Sequence, residues 1–372
     1  MRKDNTIEAF FALVRAGLWS DGNQEIRIDG TTDWNKVYQL AQEQSVQGLV
    51  LAGLEHSGIK PPKELLLQWI GEVQLIEQRN KEMNAFINQL IGDLRKANIY
   101  TLIVKGQGVA QCYERPLWRA SGDIDFYMKD DDFQKAKIFF RPLVDKFDPD
   151  DDYTRHINMH YGDWVVEIHA NQYCSISPRI NRVLNEVHND IFYNGRVRSW
   201  VNSGTKLFLP SADNDALIIF THFLNHFYKG GVGLRQICDW CRLLWTYKDT
   251  IDVILLGKRL NRMGLMTEWK AFAALAVDYL EMPIEAMPFY DPSKRWSIKA
   301  KRVMDFLLEV GNFGHNRDTS YYVNYPFIQK KSISFWKRFR DLLKHSKIFP
   351  FDSARFLFGM TILGFKAVIH GE

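Results

Sequence analysis

The chain predicts an α+β protein in which a small mixed β-sheet core sits between an N-terminal and a C-terminal helical region. Three observations lead there. Apolar residues recur at helical spacing before residue 98 and again from about residue 210 onward. Between these regions, β-rich runs at 99–104 and 124–128 are separated by a glycine turn and a helix-length gap. A further pair of runs, 153–160 and 164–169, alternates as an antiparallel hairpin does around a turn at Tyr161-Gly162-Asp163. The expected divisions are 1–98 (N-terminal helices), 99–205 (α/β core) and 206–372 (C-terminal helices).

In chain order, Trp34, Val37, Leu40 and Ala41 open the helical pattern, and 46–54 follows as a second short apolar segment. Pro61-Pro62 breaks the chain before a long helix. There Leu66, Trp69, Ile70, Val73, Ile76, Met83, Ile87, Leu90, Ile91 and Leu94 form one apolar stripe opposite a charged face, the mark of a helix packed on a core. A short helix is expected over 109–113, with Pro116 beyond it. Asp130-Asp131-Asp132 opens another helix, where acids complement the dipole and cap free amides. Residues 148–152 form an acidic turn, and the stretch holding Ser175, Pro178 and Asn194-Gly195 is mixed. Ser211 is the expected N-cap of the next helix, which Gly230-Gly231-Val232-Gly233 interrupts before 234–245. Amphipathic segments follow at about 251–263, 266–280 and 295–311.

Composition narrows the class. A hydrophobic fraction of 46% and a charged fraction of 25% exclude a disordered or fibrous chain. The net charge of +4 suits an anionic small molecule but is no signature of long nucleic acid. Four cysteines, at 112, 174, 238 and 241, are too few for a disulfide framework, and Cys238-x-x-Cys241 has no second pair to complete a metal site. The first residues carry no apolar signal-peptide core, and no apolar run reaches the ~18–20 residues of a transmembrane helix, so a cytoplasmic location is expected. Residues 330–347 combine seven Lys or Arg with Phe335, Trp336, Phe339, Leu342 and Leu343 at helical spacing. Such a helix either shows a solvated basic face with its apolar side on the core, or makes peripheral contact with an anionic membrane. Residues 356–369 are apolar, include Lys366, and are expected to dock as a last helix.

The chemistry concentrates at Lys105-Gly106 and Asp123-Ile124-Asp125. In a strand, residues i and i+2 share a face, so both carboxylates project together while Ile124 enters the core. Two adjacent acids repel, and a cation or a shared proton is the usual remedy. Glu167, mid-strand between Val166 and Ile168, is the third carboxylate. Three such groups on neighbouring strands would make a hard-oxygen site suited to Mg²⁺ or Mn²⁺. That site can hold the phosphates of a nucleoside triphosphate while an acceptor oxygen attacks the α-phosphate. Lys105 and Arg119 would supply charge, and the glycine turn backbone amides.

These residues resemble the nucleotidyltransferase superfamily typified by DNA polymerase β. They are most similar to uncharacterised bacterial nucleotidyltransferases with the pattern K-G…R…D-I-D-L…E-x-H. The matching pieces are Lys105-Gly106, Arg119, Gly122-Asp-Ile-Asp-Phe126 and Glu167-Ile-His169. His222-x₃-His226, Leu234-Arg235 and Asp239 match that subgroup's later helix pair, so the resemblance runs from about 30 to 300. Gly106-Gln107-Gly108 stands where the superfamily usually has Gly-Gly or Gly-Ser. The resemblance implies that Asp123, Asp125 and Glu167 are metal ligands and catalytic, with Glu167 also a general base. It further implies that Lys105, Gly106, Gly108, Arg119 and Gly122 bind the nucleotide, and that His169, His222, His226, Arg235 and Asp239 line the substrate cleft. An interior network fastening the helices is the alternative for His222, His226, Arg235 and Asp239. The expected reaction is Mg²⁺-dependent transfer of a nucleoside monophosphate to an unidentified small molecule, sugar or protein, releasing pyrophosphate. The rivals are a non-catalytic nucleotide-binding scaffold and a membrane-surface role in lipid or polysaccharide synthesis.

Overall fold

A computed structural model describes residues 5–19, 26, 28, 30–148, 155–317 and 325–370. It is a mixed α+β fold, a five-stranded sheet and a separate hairpin flanked by many helices. Helices α1 (Asn5–Leu18), α2 (Trp34–Glu43), α3 (Gln47–Ser57) and α4 (Lys63–Lys96) precede the sheet, and a short α5 (Gly106–Ala110) follows its first strand. The Asp33 side chain caps α2 by accepting from the Lys36 amide at 3.1 Å. The apolar stripe of α4 divides its work. Trp69 and Val73 join the large helical core, whereas Met83, Ile87, Leu90, Ile91 and Leu94 pack on the sheet.

The strands are β1 (Leu102–Val104), β2 (Asp123–Tyr127), β3 (Lys146–Phe147), β4 (His156–Tyr161) and β5 (Trp164–His169), ordered β1-β2-β5-β4-β3. Only the central β2–β5 pair is parallel; the other pairs are antiparallel. Alternation then sorts the side chains. Ile103, Ile124, Phe126, Val166 and Ile168 enter one core with α4 and with α6 (Asp130–Phe140). Leu102, Val104 and Tyr127 belong to the other core, formed by the helices on the opposite face. Asp123 and Asp125 therefore face the helical side of the sheet. The acidic turn's residues 149–152, and Tyr153 and Thr154 of the expected strand, lie outside the described residues.

Two elements fill the stretch that reads as mixed in sequence. Helix α7 (Pro178–Phe192) begins at Ser177, whose hydroxyl accepts from the Arg179 amide, and buries Ile180, Val183, Leu184, Val187 and Ile191. β6 (Val197–Asn202) and β7 (Thr205–Pro210) form a hairpin whose turn, Ser203-Gly204, has positive φ at both residues (46° and 87°). The division expected at 205/206 falls inside this hairpin. Both signals are legible, a Ser-Pro helix start and a Ser-Gly turn, but neither is long.

The remaining helices are α8 (Ala212–Lys229), α9 (Leu234–Thr246), α10 (Val253–Met263), α11 (Met266–Leu280), α12 (Lys294–Val310), α13 (Phe327–Ser346) and α14 (Pro350–His370). Ser211 holds the N-cap position of α8, yet its hydroxyl makes no capping bond and is buried without a partner. The first turn is fixed instead by its acids: Arg196, just before the hairpin, and Arg198 within it pair with Asp213 and Asp215, each at 2.8 Å. The N-terminal helices pack on the C-terminal ones, with the Trp19 indole donating to the Leu280 carbonyl at 2.6 Å, so both helical regions share one core. Helix α13 docks through Leu342 and His345, while Trp336 (59% exposed) and Leu343 (52%) stay in solvent. The basic segment is thus neither fully covered nor wholly polar on its outer face. All four cysteines are buried free thiols. No helix among the described residues is long and apolar enough to cross a membrane.

Helices α11 and α14 meet at two buried carboxyl groups, Glu268 and Asp352. Burial, then the Asp352 charge, raises Glu268 well above its ordinary 4.5. A carboxyl with a raised folded pKa contributes stability that is fully present below its unfolded value and is lost as pH rises through the folded one. Glu268→Gln is therefore expected to raise Tm at pH 8, with the gain shrinking towards pH 4. Thermal unfolding of both proteins across that range checks it; a gain that grows on acidification contradicts it.

Candidate functional site

β1 ends in a sharp turn. Lys105 and Gly106 both have positive φ (55° and 32°), which swings the chain off the strand and lays Gly106 against the backbone of Asp123. A Cβ at Gly106 would stand 3.4 Å from the Asp123 carbonyl oxygen. Gly108 is closely packed as well: a Cβ there would come within 2.9 Å of Leu209 and 3.3 Å of Ile103. Gln107 is buried, and its amide donates to Asn80 Oδ1 (2.8 Å) on α4 and contacts the Ser121 hydroxyl at 3.3 Å. It ties the turn and the loop before β2 to one helix, which is the physical reason for a long side chain at this position.

A cleft opens above β2 between this turn and helices α8 and α9. Lys105, Gly106, Arg119, Gly122, Asp123, Asp125, His222, Arg235, Asp239 and Phe313 are among its lining residues. Its cavity volume is about 50 Å³, room for water and phosphate oxygens in its interior. Asp125 is buried and Asp123 half-buried. Lys105 Nζ lies 2.5 Å from Asp125 Oδ1, and His169 Nε2 contacts the same oxygen at 2.9 Å. The Asp123 carboxylate has no hydrogen bond or ion pair among the described residues. The Asp125 charge, then burial, pushes its carboxyl above the ordinary 3.8. Burial works against the Lys105 ammonium, but the Asp125, Glu167 and Asp123 charges outweigh it and hold the pKa above 10.5.

The parallel register sets Asp125 beside Glu167 on β5. Glu167, however, is engaged with imidazoles. Its Oε2 lies 3.2 Å from His156 Nε2 and 3.4 Å from His169 Nε2. Burial pushes its carboxyl up, yet the hydrogen bonds from His156 and His169 prevail and hold it far below 4.5. Burial likewise opposes the charged form of His169, and its bonds to Asp125 and Glu167 reverse this and raise it above 6.5. Among the described residues, one group of three brings its donor atoms within 4.8 Å of one another, and it is His156, Glu167 and His169. The three carboxylates thus lie on one face of neighbouring strands, with His169 between Asp125 and Glu167 and His156 on the far side of Glu167.

The expected cations divide. Arg119 grips Asp239 in a bidentate pair, Nε to Oδ1 at 2.7 Å and Nη2 to Oδ2 at 2.6 Å, and the Tyr113 hydroxyl donates to the same carboxylate at 2.7 Å. Both side chains are only 7% exposed, so the pair fastens α9 to the loop before β2. Arg235 differs. It donates to the Ala120 carbonyl at 2.7 Å, but its Nε is buried without a partner, and burial followed by the Arg119 charge lowers its pKa below 12.5. His222 and His226 stack edge to face at 4.5 Å, and His226 also meets Phe313 at 4.9 Å. Burial and then the Lys105 charge depress both, His222 well below 6.5 and His226 to about 4. Both rings are therefore neutral at neutral pH.

His156, Asn158, Tyr113 and Gln107 are absent from the sequence-based site. For His156 the cause is one residue of register. A turn over Tyr161–Asp163 would pair His160 with Trp164 and set Arg155 opposite His169. The observed turn is Gly162-Asp163, so Tyr161 pairs with Trp164 and His156 with His169.

The fold and site together define an α+β protein whose mixed sheet presents an Asp-x-Asp strand beside a Lys-Gly turn, under a roof of two helices. The chain belongs to the family described as uncharacterised nucleotidyltransferases, whose model matches residues 30–281. That span takes in every element lining the cleft except the segment bearing Phe313. Comparison with curated proteins found no match, and neither did comparison with solved structures.

Proposed function

We propose that this protein transfers a nucleoside monophosphate from a nucleoside triphosphate to an acceptor, releasing pyrophosphate, with Asp123 and Asp125 as the residues that hold Mg²⁺ or Mn²⁺. One observation carries the reading: in a chain of a nucleotidyltransferase family, two carboxylates share one face of β2 inside a cleft walled by Lys105 and Arg235. The donor set fits a hard divalent ion, because both groups offer oxygen and Asp123 is unpaired and repelled by its neighbour. When bound, such an ion supplies charge that stabilises the attacking and leaving oxygens of phosphoryl transfer.

The chain's own groups have distinct parts in this proposal. Arg235, with an unpartnered Nε, attracts triphosphate oxygens. Lys105 balances the charge of the acid pair and sits where it can exchange Asp125 for a phosphate oxygen. Arg119 and Asp239 pair within the cleft lining, holding the loop that carries Gly122 against α9. His222, a neutral imidazole in the cleft wall, offers a hydrogen bond to an uncharged part of the nucleotide or acceptor. Glu167, beside Asp125 on the neighbouring strand and held ionised by its bonds from His156 and His169, is the third carboxylate available to the ion and contacts His169, which in turn contacts Asp125. The acceptor is a small molecule, sugar or protein side chain.

Arg235→Ala is the test of how the triphosphate is held. Losing hydrogen bonds to a charged group costs about 1.5–3 kcal/mol, so Mg²⁺-NTP affinity in calorimetric titration is expected to fall roughly 10–100-fold. Unchanged affinity in a folded variant would count against it.

A further inference from the structure

Helix α13 has two apolar faces, and the fold uses one of them. Leu342 and His345 point into the core, where the His345 ring stacks on Phe227 with centroids 4.2 Å apart. Around the helix from these, Phe335, Phe339 and Leu343 recur one turn apart, with Trp336 beside them. The rings cluster there: Phe335 lies 6.3 Å and Trp336 5.7 Å from Phe339, centroid to centroid. Phe335, Trp336 and Leu343 are exposed. A helix that only closes the core carries polar side chains on its outer face.

Charge is arranged around this stripe. Seven Lys or Arg stand within 330–347 against one acid, Asp341, so by difference the rest of the chain is slightly acidic. Arg317 engages that acid at 2.6 Å. Lys331 stands one turn before Phe335, Arg340 one turn after Trp336 and Lys347 one turn after Leu343, and all three are exposed. At helical spacing they border the apolar stripe on both sides. Lys344 pairs with Glu309, whereas the Arg340 and Lys347 side chains have no acidic partner among the described residues.

We propose that the outer face of α13 docks the protein peripherally on a membrane surface rich in anionic phospholipid. Phe335, Trp336 and Leu343 enter the boundary between head groups and acyl chains, and Lys331, Arg340 and Lys347 stay among the lipid phosphates. Both features are needed, because cations alone act only within a Debye length and apolar groups alone do not select charge. Nucleic acid fits less well: its phosphates would engage the cations but leave Phe335 and Leu343 in water. The helix lies along the surface, about 30 Å long by its 20 residues, and crosses nothing. Docking does not depend on nucleotidyl transfer.

Sedimentation of the full chain with lipid vesicles tests it. Binding is expected to vesicles of mixed phosphatidylglycerol and phosphatidylcholine, with none to phosphatidylcholine alone. It is expected to collapse in about 1 M salt, where the Debye length is ~3 Å. Each cation near such a surface is worth about fivefold in binding, so Arg340→Gln/Lys347→Gln is expected to weaken it roughly 30-fold. Brominated lipid reads insertion independently. It is expected to quench the tryptophan fluorescence of the unsubstituted protein, and Trp336→Phe is expected to remove most of that quenching. No sedimentation with the anionic vesicles would overturn the proposal, as would binding that the double variant leaves unchanged. Salt-sensitive sedimentation without quenching by brominated lipid would reduce the face to a general polyanion patch and also overturn it.

Discussion

Asp125→Asn is expected to lower pyrophosphate release by roughly 10²–10³-fold, the scale on which removing one stabilising group from a developing charge acts, and to destabilise the chain as well. The second effect follows from its partners. Lys105 and His169 both contact Asp125 Oδ1, and the pair Lys105–Asp125 is nearly sealed, with side chains 12% and 2% exposed. Removing one member of a buried pair costs up to about 3–5 kcal/mol; Glu167 and Asp123 nearby hold the loss towards the lower end. Asp123→Asn is expected to lower activity as far but to move stability the other way. The Asp123 carboxyl is raised above 3.8 by the Asp125 charge and by burial. Its contribution to stability is therefore complete below the unfolded pKa and lost as pH rises through the folded one. At neutral pH, in a chelating buffer, Asp123→Asn should raise Tm while Asp125→Asn lowers it. Thermal unfolding of the two variants at pH 7.5 and pH 4 decides this, and equal destabilisation by both would contradict the assigned electrostatics.

Breaking the Arg119–Asp239 pair is expected to have the largest effect on stability alone. The guanidinium meets both carboxylate oxygens, Tyr113 adds a third bond, and the group is buried between the loop before β2 and helix α9. Arg119→Met leaves a buried carboxylate uncompensated, at a cost of about 3–5 kcal/mol, and Asp239→Leu leaves the guanidinium in the same position. The double variant, with both charges gone, is expected to recover much of that loss. A phosphate-binding Arg119 predicts otherwise: Arg119→Met would then weaken NTP binding sharply with little change in denaturation midpoint. Denaturant titration of the four proteins beside nucleotide titration separates the two roles.

Elements with strong local signals were legible in the sequence. The long helix α4, the acid-opened α6 and the helices from α9 to α12 lie within a few residues of their expected bounds, because apolar periodicity and glycine or proline breaks define them. Asp123 and Asp125 project together because period-two alternation in a strand dictates it. What the sequence hides is pairing. The one-residue difference at Gly162-Asp163 decides that His156, not Arg155, faces His169. Arg119 and Arg235 look alike as cations near an acid pair, yet only a three-dimensional contact 120 residues away, at Asp239, consumes the first and leaves the second with an unpartnered Nε. Gln107 reads as a departure from a glycine pattern, and its reason appears only when α4 brings Asn80 alongside.

The central claim, that Asp123 and Asp125 support nucleotidyl transfer, is tested most directly by pyrophosphate release. The purified protein is incubated with each of the four NTPs, Mg²⁺ or Mn²⁺, and fractionated small-molecule and protein extracts as acceptors, beside an Asp123→Asn/Asp125→Asn double variant. Release above the level of the double variant, with label passing to a component of at least one fraction, is the expected result. Identical release from both proteins in every fraction would contradict it.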